Sequence, residues 1–274
     1  MKKNYKILLA SILYLIFSNT YAQVGIGTSA PKGMLDTQNS SNYGIIFPRV
    51  ALTATNIAAP VINPNGGGLV AGTAVYNTNT TSTGTNDVYP GIYAWDGTRW
   101  IAQYLREDSA IYEQTTLGQR IVTGSTQVDT PLSDWVDVNG LGNGSTFTPK
   151  YSGTYRIKAN FNFGSGKITN TGDTIDMATQ EGYFRFTFDG SSNLIYTHAY
   201  GVDNAYTGLY YDKFRHDTSL VLYRTLRAGQ TYNFRLEIDV FVSSQFENGG
   251  NSGDGRSWVG IGVPCTVEFT YVEE

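Results

Sequence analysis

The sequence predicts an all-β protein: a β-sandwich or jelly roll preceded by a small β-rich module. Three observations carry this. Long runs alternate apolar and polar residues with period two, which turns one face of an extended strand toward a core. Turn signals such as LGNGST, SGKITNTGD, RAGQ and ENGGNSGDG separate those runs. The 274 residues include 31 Gly and 20 Tyr, a composition poor in helix formers.

Taken in order, residues 1–22 read as a signal peptide. Lys2, Lys3 and Lys6 form a positive start, Ile7 to Phe17 an apolar run too short to span a bilayer, and Ala22 a small residue before the cut at Gln23. No Cys stands at the junction, so a lipoprotein anchor is not expected. The expectation is an exported protein, extracellular or on the surface of a Gram-negative-type bacterium, with no transmembrane segment in the mature chain. Cleavage removes three lysines and no acids, moving the formal net charge from −4 to −7. A charge-poor, acidic chain argues against nucleic-acid binding, which rests on basic patches.

Residues 23–104 form the expected N-terminal module. It opens on QVGIGTSAPKGMLD, and short apolar runs follow: YGIIFPRVAL, GTAVYNTNT and PGIYAWDGTRWIAQY. In the last, Asp96-Gly97 marks a hairpin turn, and Tyr93, Trp95, Trp100 and Tyr104 supply aromatic partners. Residues 105–118 are polar enough to read as a connector, and 119–274 as the sandwich.

Within that second part, Tyr155, Ile157, Ala159, Phe161 and Phe163 alternate with polar residues. Phe184, Phe186 and Phe188 share a face, turn at Asp189-Gly190, and the chain returns through Leu194, Tyr196 and His198. Tyr232, Phe234, Leu236, Ile238, Val240 and Val242 line up, as do Val263, Cys265, Val267, Phe269 and Tyr271. Cys265, the single cysteine, therefore reads as a small core residue. The run SLVLYRTL is apolar on both sides, with Leu220 and Leu222 pointing one way and Val221 and Tyr223 the other. A second sheet covers one side, and a neighbouring subunit is the expected cover for the other.

The chemistry-bearing motifs point away from catalysis. Val24-Gly25-Ile26-Gly27 lacks the third glycine of a dinucleotide fingerprint, and no Lys-Ser/Thr follows as in a P-loop. The second VGIG, Val259 to Gly262, reads as part of a sandwich strand. The two histidines and one cysteine are too few for a typical transition-metal site. His198 reads as packed or interfacial, and His216, near Asp212 and Asp217, as part of a solvated loop. No Gly-x-Ser-x-Gly elbow is present. No catalytic residue and no cofactor is expected. Two oxygen-rich loops lack EF-hand spacing; were calcium bound, Asp173, Asp176 and Asp254 would be its ligands. The candidate ligand surface is the tyrosine group Tyr196, Tyr200, Tyr206, Tyr210 and Tyr211, since tyrosine offers a rigid ring and a hydroxyl.

FTPKYSGTYRIKANFNF (147–163), RTLRAGQTYNFRLEI (224–238) and CTVEFTYVEE (265–274) together resemble the tumour-necrosis-factor and complement-globular-head superfamily of jelly rolls. That resemblance implies a compact homotrimer with aromatic strands facing the threefold axis, and binding or adhesion rather than catalysis. Long inserts around GKITNTGDTIDMATQEG and NAYTGLYYDKFRHD depart from it. Val24 to Pro31 with Leu35-Asp36, followed by GIIFPRVALT, GTAVYNTNT and GIYAWDGTRWI, resembles a leader module of exported bacterial envelope proteins and trimeric tail-fibre-like stalks, which implies surface display. The expected function is a non-enzymatic surface protein whose trimeric head binds a protein or glycan. The alternatives are a carbohydrate-binding module using the tyrosine-rich loop, and an enzyme on a jelly-roll scaffold.

Overall fold

The computed structural model describes residues 23–38, 42, 44–128, 130–172 and 175–273; residues 1–22, read from the sequence as a signal peptide, lie outside them. The chain divides into two units, Met1–Phe47 and Pro48–Glu274.

The first unit holds two three-residue strands, β1 (Val24–Ile26) and β2 (Leu35–Thr37), paired in parallel with Val24 opposite Leu35 and Ile26 opposite Thr37. The glycines of QVGIGTSAPKGMLD act through close backbone approach. A Cβ on Gly25 would stand 2.5 Å from the Thr28 carbonyl oxygen. Gly27, at φ +76°, leaves its Cβ position 2.4 Å from the Gln38 carbonyl oxygen.

The second unit begins with a four-stranded sheet of β3 (Arg49–Val50), β4 (Ala74–Asn77), β5 (Gly91–Trp95) and β6 (Trp100–Ala102), in that order. Trp95 pairs with Trp100, so the hairpin loop spans four residues, 96–99, rather than Asp96-Gly97 alone. The Asp96 carboxylate closes it, accepting from the Thr98 and Arg99 N–H groups at 2.7 Å each. Tyr93 and Trp100 are fully buried with Leu52, Val75 and Val88 in a core of their own.

The sandwich strands follow: β7 (Ser109–Glu113), β8 (Gln119–Ile121), β9 (Val136–Asp137), β10 (Ser145–Phe147), β11 (Gly153–Gly164), β12 (Ile175–Phe188), β13 (Ser191–Asn204), β14 (Leu209–Tyr211), β15 (Arg215–Leu226), β16 (Tyr232–Val240), β17 (Ser257–Val259) and β18 (Thr266–Glu273). The stretch read as a connector, 105–118, thus carries β7. One sheet runs β7-β18-β11-β17-β8, with β15 on the other side of β11; the second runs β10-β16-β12-β13-β14, with β9 also on β16. From β10 onward the chain crosses repeatedly between sheets, and this strand order is that of a jelly roll.

The alternation read from sequence sets the inward faces. Phe161 of β11 stacks on Phe184 of β12 at 5.0 Å between ring centroids. Phe147 of β10 stacks on Phe269 of β18 at 4.1 Å. Both pairs join the two sheets through the core, where aromatic contacts add to the burial term. Cys265 is fully buried in the same core, and burial pushes its thiol up to about 11. Asp189 (φ 45°) and Gly190 (φ 79°) form the two-residue β12–β13 turn, since Phe188 pairs with Ser191.

Three parts of the sequence reading are corrected by the structure. In β13 the residues turned to the core are Thr197 and Ala199, with Ile195 half-buried beside them, whereas Leu194, Tyr196 and His198 face outward. One apolar stripe fitted the pattern as well as the other, and pairing with β12 selects between them. Of the second VGIG only Val259 is in a strand. Gly260 and Gly262 turn the chain at φ +77° and +72°, and the Gly260 Cβ position lies 2.1 Å from the Gln114 side-chain oxygen. Val263 is exposed ahead of β18, outside the buried series that begins at Cys265.

Candidate functional site

The outward face of β12, β13 and β14 carries a group of exposed aromatic and apolar side chains. Register places Met177 beside Val202 and Val202 beside Tyr211, with Tyr200 two residues before Val202 on the same face. Ile175, Met177, Leu194, Tyr196, Tyr200, Leu209 and Tyr211 are all exposed. Nearer the middle of the sheet the same face is closed by charge. Trp135 covers the Arg185 guanidinium at 4.0 Å. Arg185 and Arg235 both bind the buried Glu237 carboxylate, at 2.7 and 3.0 Å, and Arg235 reaches Asp137 at 2.7 Å. Buried charges need such partners. On this face the exposed apolar side chains therefore lie on β13, β14 and the first residues of β12.

The five candidate tyrosines do not form one patch. Tyr196 and Tyr200 flank His198, with centroids 5.7 Å from it on each side, and Tyr211 lies on the same sheet face. Tyr210, one residue earlier, faces the other way and carries the Lys167 ammonium 4.8 Å from its ring. Tyr206 stands in the turn before β14 and is 77% exposed. The Tyr196 hydroxyl donates to Glu181, and burial followed by that carboxylate pushes the phenol up to about 12.

His216, expected on a loop, lies within β15 opposite Phe163 and is half-buried. Its ring is 4.7 Å from that of His198, and its Nδ1 is 3.1 Å from the His198 carbonyl oxygen. This joins the edges of the two sheets at β13 and β15. Neither histidine has a serine or cysteine nucleophile among its hydrogen-bond partners in the described residues. Of the three calcium candidates, Asp173 lies outside the described residues. Asp176 accepts from the Thr171 N–H and hydroxyl, and Asp254 pairs with Arg120 at 3.3 Å. Among the described residues no three metal-ligating side chains cluster.

The four residues considered for a subunit contact divide by parity. Leu220 and Leu222 pack half-buried against the core, while Val221 and Tyr223 are 46% and 57% exposed on the outer side of the other sheet. There Val221 stands next to Lys158 and Tyr223 next to Arg156.

A feature that periodicity does not reveal is the seam joining the β3–β6 module to the jelly roll. Asp87 is fully buried and accepts from Ser152 Oγ at 2.5 Å, from the Thr83 N–H at 2.7 Å and from the Thr81 hydroxyl at 3.0 Å. Burial alone would raise its carboxyl; the Ser152 bond, with those from Thr83, Thr81 and Gly84, outweighs burial and leaves it below the ordinary carboxylate value. The Ser152 N–H donates to the Tyr89 hydroxyl, the Ala228 N–H donates to Ser152 Oγ, and Ser82 Oγ donates to the Ala228 carbonyl, all at 2.9 Å. A lone Asp in TSTGTNDVYP gives no sequence sign of this role.

Among the described residues no helix is long and apolar enough to cross a membrane. Residues 25–117 match a family model described as a phage tail like trimerisation region. No curated protein matches the chain. Among solved structures, the globular domain of zebrafish complement 1qA protein aligns over 62% of this chain and 100% of its own, at 12% identity and a TM-score of 0.25. At that score the superposition carries no weight, and the jelly-roll assignment stands on the strand order itself.

Proposed function

We propose that the chain is an exported, non-enzymatic surface protein that assembles as a homotrimer and presents its jelly roll as a binding head. The observation that carries this is the β1–β2 pair, which overlaps the start of the region, 25–117, that matches the trimerisation model. Val24, Ile26 and Leu35 are 55%, 59% and 60% exposed. A two-stranded parallel sheet with bare apolar side chains is not stable alone in water, because parallel pairs occur where both faces are covered. Two further copies of the same segment supply that cover. Val221 and Tyr223 give the head a second apolar strip for the same assembly.

The ligand surface in this reading is the outward β12–β14 face around Tyr196, Tyr200 and Tyr211, with a protein or glycan as its partner. Export rests on the character of residues 1–22. Mass photometry of the chain from Gln23 onward tests the assembly: a trimer at nanomolar to micromolar concentration is expected, shifting to monomer in the Val24→Asp/Ile26→Asp double variant. A clean monomer of the unaltered chain at micromolar concentration would remove the trimer.

A further inference from the structure

We propose a second ligand site, an acidic-saccharide cleft at the seam between the β3–β6 module and the jelly roll. The cleft has a volume of about 400 Å³ and is bordered by Thr80, Ser82, Pro90, Tyr104, Lys150 and Tyr151, with Tyr89 behind them. Its walls are aromatic rings and a proline ring, its rim carries hydroxyls, and Lys150 is the one charged side chain among the residues that line it.

The walls are held before any ligand arrives. Tyr89 and Tyr151 meet edge to face at 4.9 Å. The Tyr104 ring covers Gly91, where any Cβ would stand 2.2 Å from it, and its hydroxyl lies 3.2 Å from that of Tyr93. Below them the Asp87–Ser152 hydrogen bonds tie module to head. A site whose rings are already fixed loses little freedom on binding.

The lining selects the ligand class. Tyrosine and proline rings offer flat apolar faces to the C–H face of a sugar, and the Thr80 and Ser82 hydroxyls offer hydrogen bonds to its hydroxyls. The Lys150 ammonium lies 5.0 Å from the Tyr151 ring centre and makes no ion pair among the described residues. An unpaired cation along an aromatic wall favours a carboxylated sugar, a uronate, over a neutral one. The cleft is separate from the outward face of β12–β14. The proposal rests on the reading of the chain as a binding protein but not on its trimeric state, so calorimetry and mass photometry fail independently.

Isothermal titration of the chain from Gln23 onward with tetragalacturonate tests it, with a neutral glucose tetramer and a deca-proline peptide as controls. Saturable binding of the acidic tetramer is expected, weakening as salt rises, and at least tenfold weaker in both Lys150→Gln and Thr80→Trp, with thermal midpoints unchanged. Lys150 and Thr80 are exposed, so both variants fold. No heat with the acidic tetramer at millimolar concentration, equal affinity of Lys150→Gln, equal binding of the neutral tetramer, or binding of the proline peptide instead would each overturn the proposal.

Discussion

The β1–β2 pair and the β12–β13 hairpin are both two strands side by side, yet they meet opposite fates. The hairpin runs fourteen residues on each strand, pairs in unbroken antiparallel register, and buries Phe184, Phe186 and Phe188 against the facing sheet. The β1–β2 pair has three residues per strand and leaves Val24, Ile26 and Leu35 bare. The same residue chemistry thus does two jobs. Where the chain supplies the covering surface, apolar alternation makes a core; where it does not, the apolar side chains stay exposed. The β3–β6 module lies between these extremes, with a small apolar core of its own and a polar seam to the head.

The comparison breaks most sharply at the hairpin. Phe184→Ala removes one partner of the Phe161 stack from a fully buried site, and a loss of about 3–5 kcal/mol is expected, read from urea unfolding. A loss below about 1 kcal/mol would mean that the two sheets do not share the core described.

The seam is expected to respond less. Asp87→Asn keeps the shape but loses the charge that five donors from four residues address, and should cost about 1–3 kcal/mol. Because the Asp87 carboxyl is held below its unfolded value, its contribution is present above that value and is lost as pH falls through the folded one, below about 4. Acid unfolding of the head should therefore be less steep in Asp87→Asn. Identical acid transitions would exclude the carboxylate as the latch.

The smallest effect is expected at the bare pair. Ile26→Ser should change the unfolding free energy of the jelly roll by no more than about 0.5 kcal/mol, as for an exposed position. The proposed trimer should nonetheless dissociate at lower dilution, measured by sedimentation. A large stability loss in the isolated monomer would mean that Ile26 is covered within one chain.

Much of the fold was legible because a half-buried strand writes its inward face as a period of two. Tyr155 to Phe163 and Tyr232 to Val240 are buried as that pattern requires. The Asp189-Gly190 turn was legible because two successive positive-φ residues favour that pair. The short β7 was not: SAIYE alternates Ala110 and Tyr112 with Ser109, Ile111 and Glu113, too brief a run to stand out from its polar flanks.

The candidate site was legible in composition but not in arrangement. The sequence alone determined that tyrosines concentrate between residues 196 and 211 and that strand alternation dominates the second half. Only the tertiary structure decided which stripe of β13 faces outward. It also set Tyr210 apart from Tyr211, carried His216 to His198, and brought Asp87 to Ser152 across 65 residues. The physical reason is that alternation specifies two faces and leaves them equivalent. The pairing partner and the covering layer choose between them, and contacts between residues far apart in sequence leave no local periodic trace.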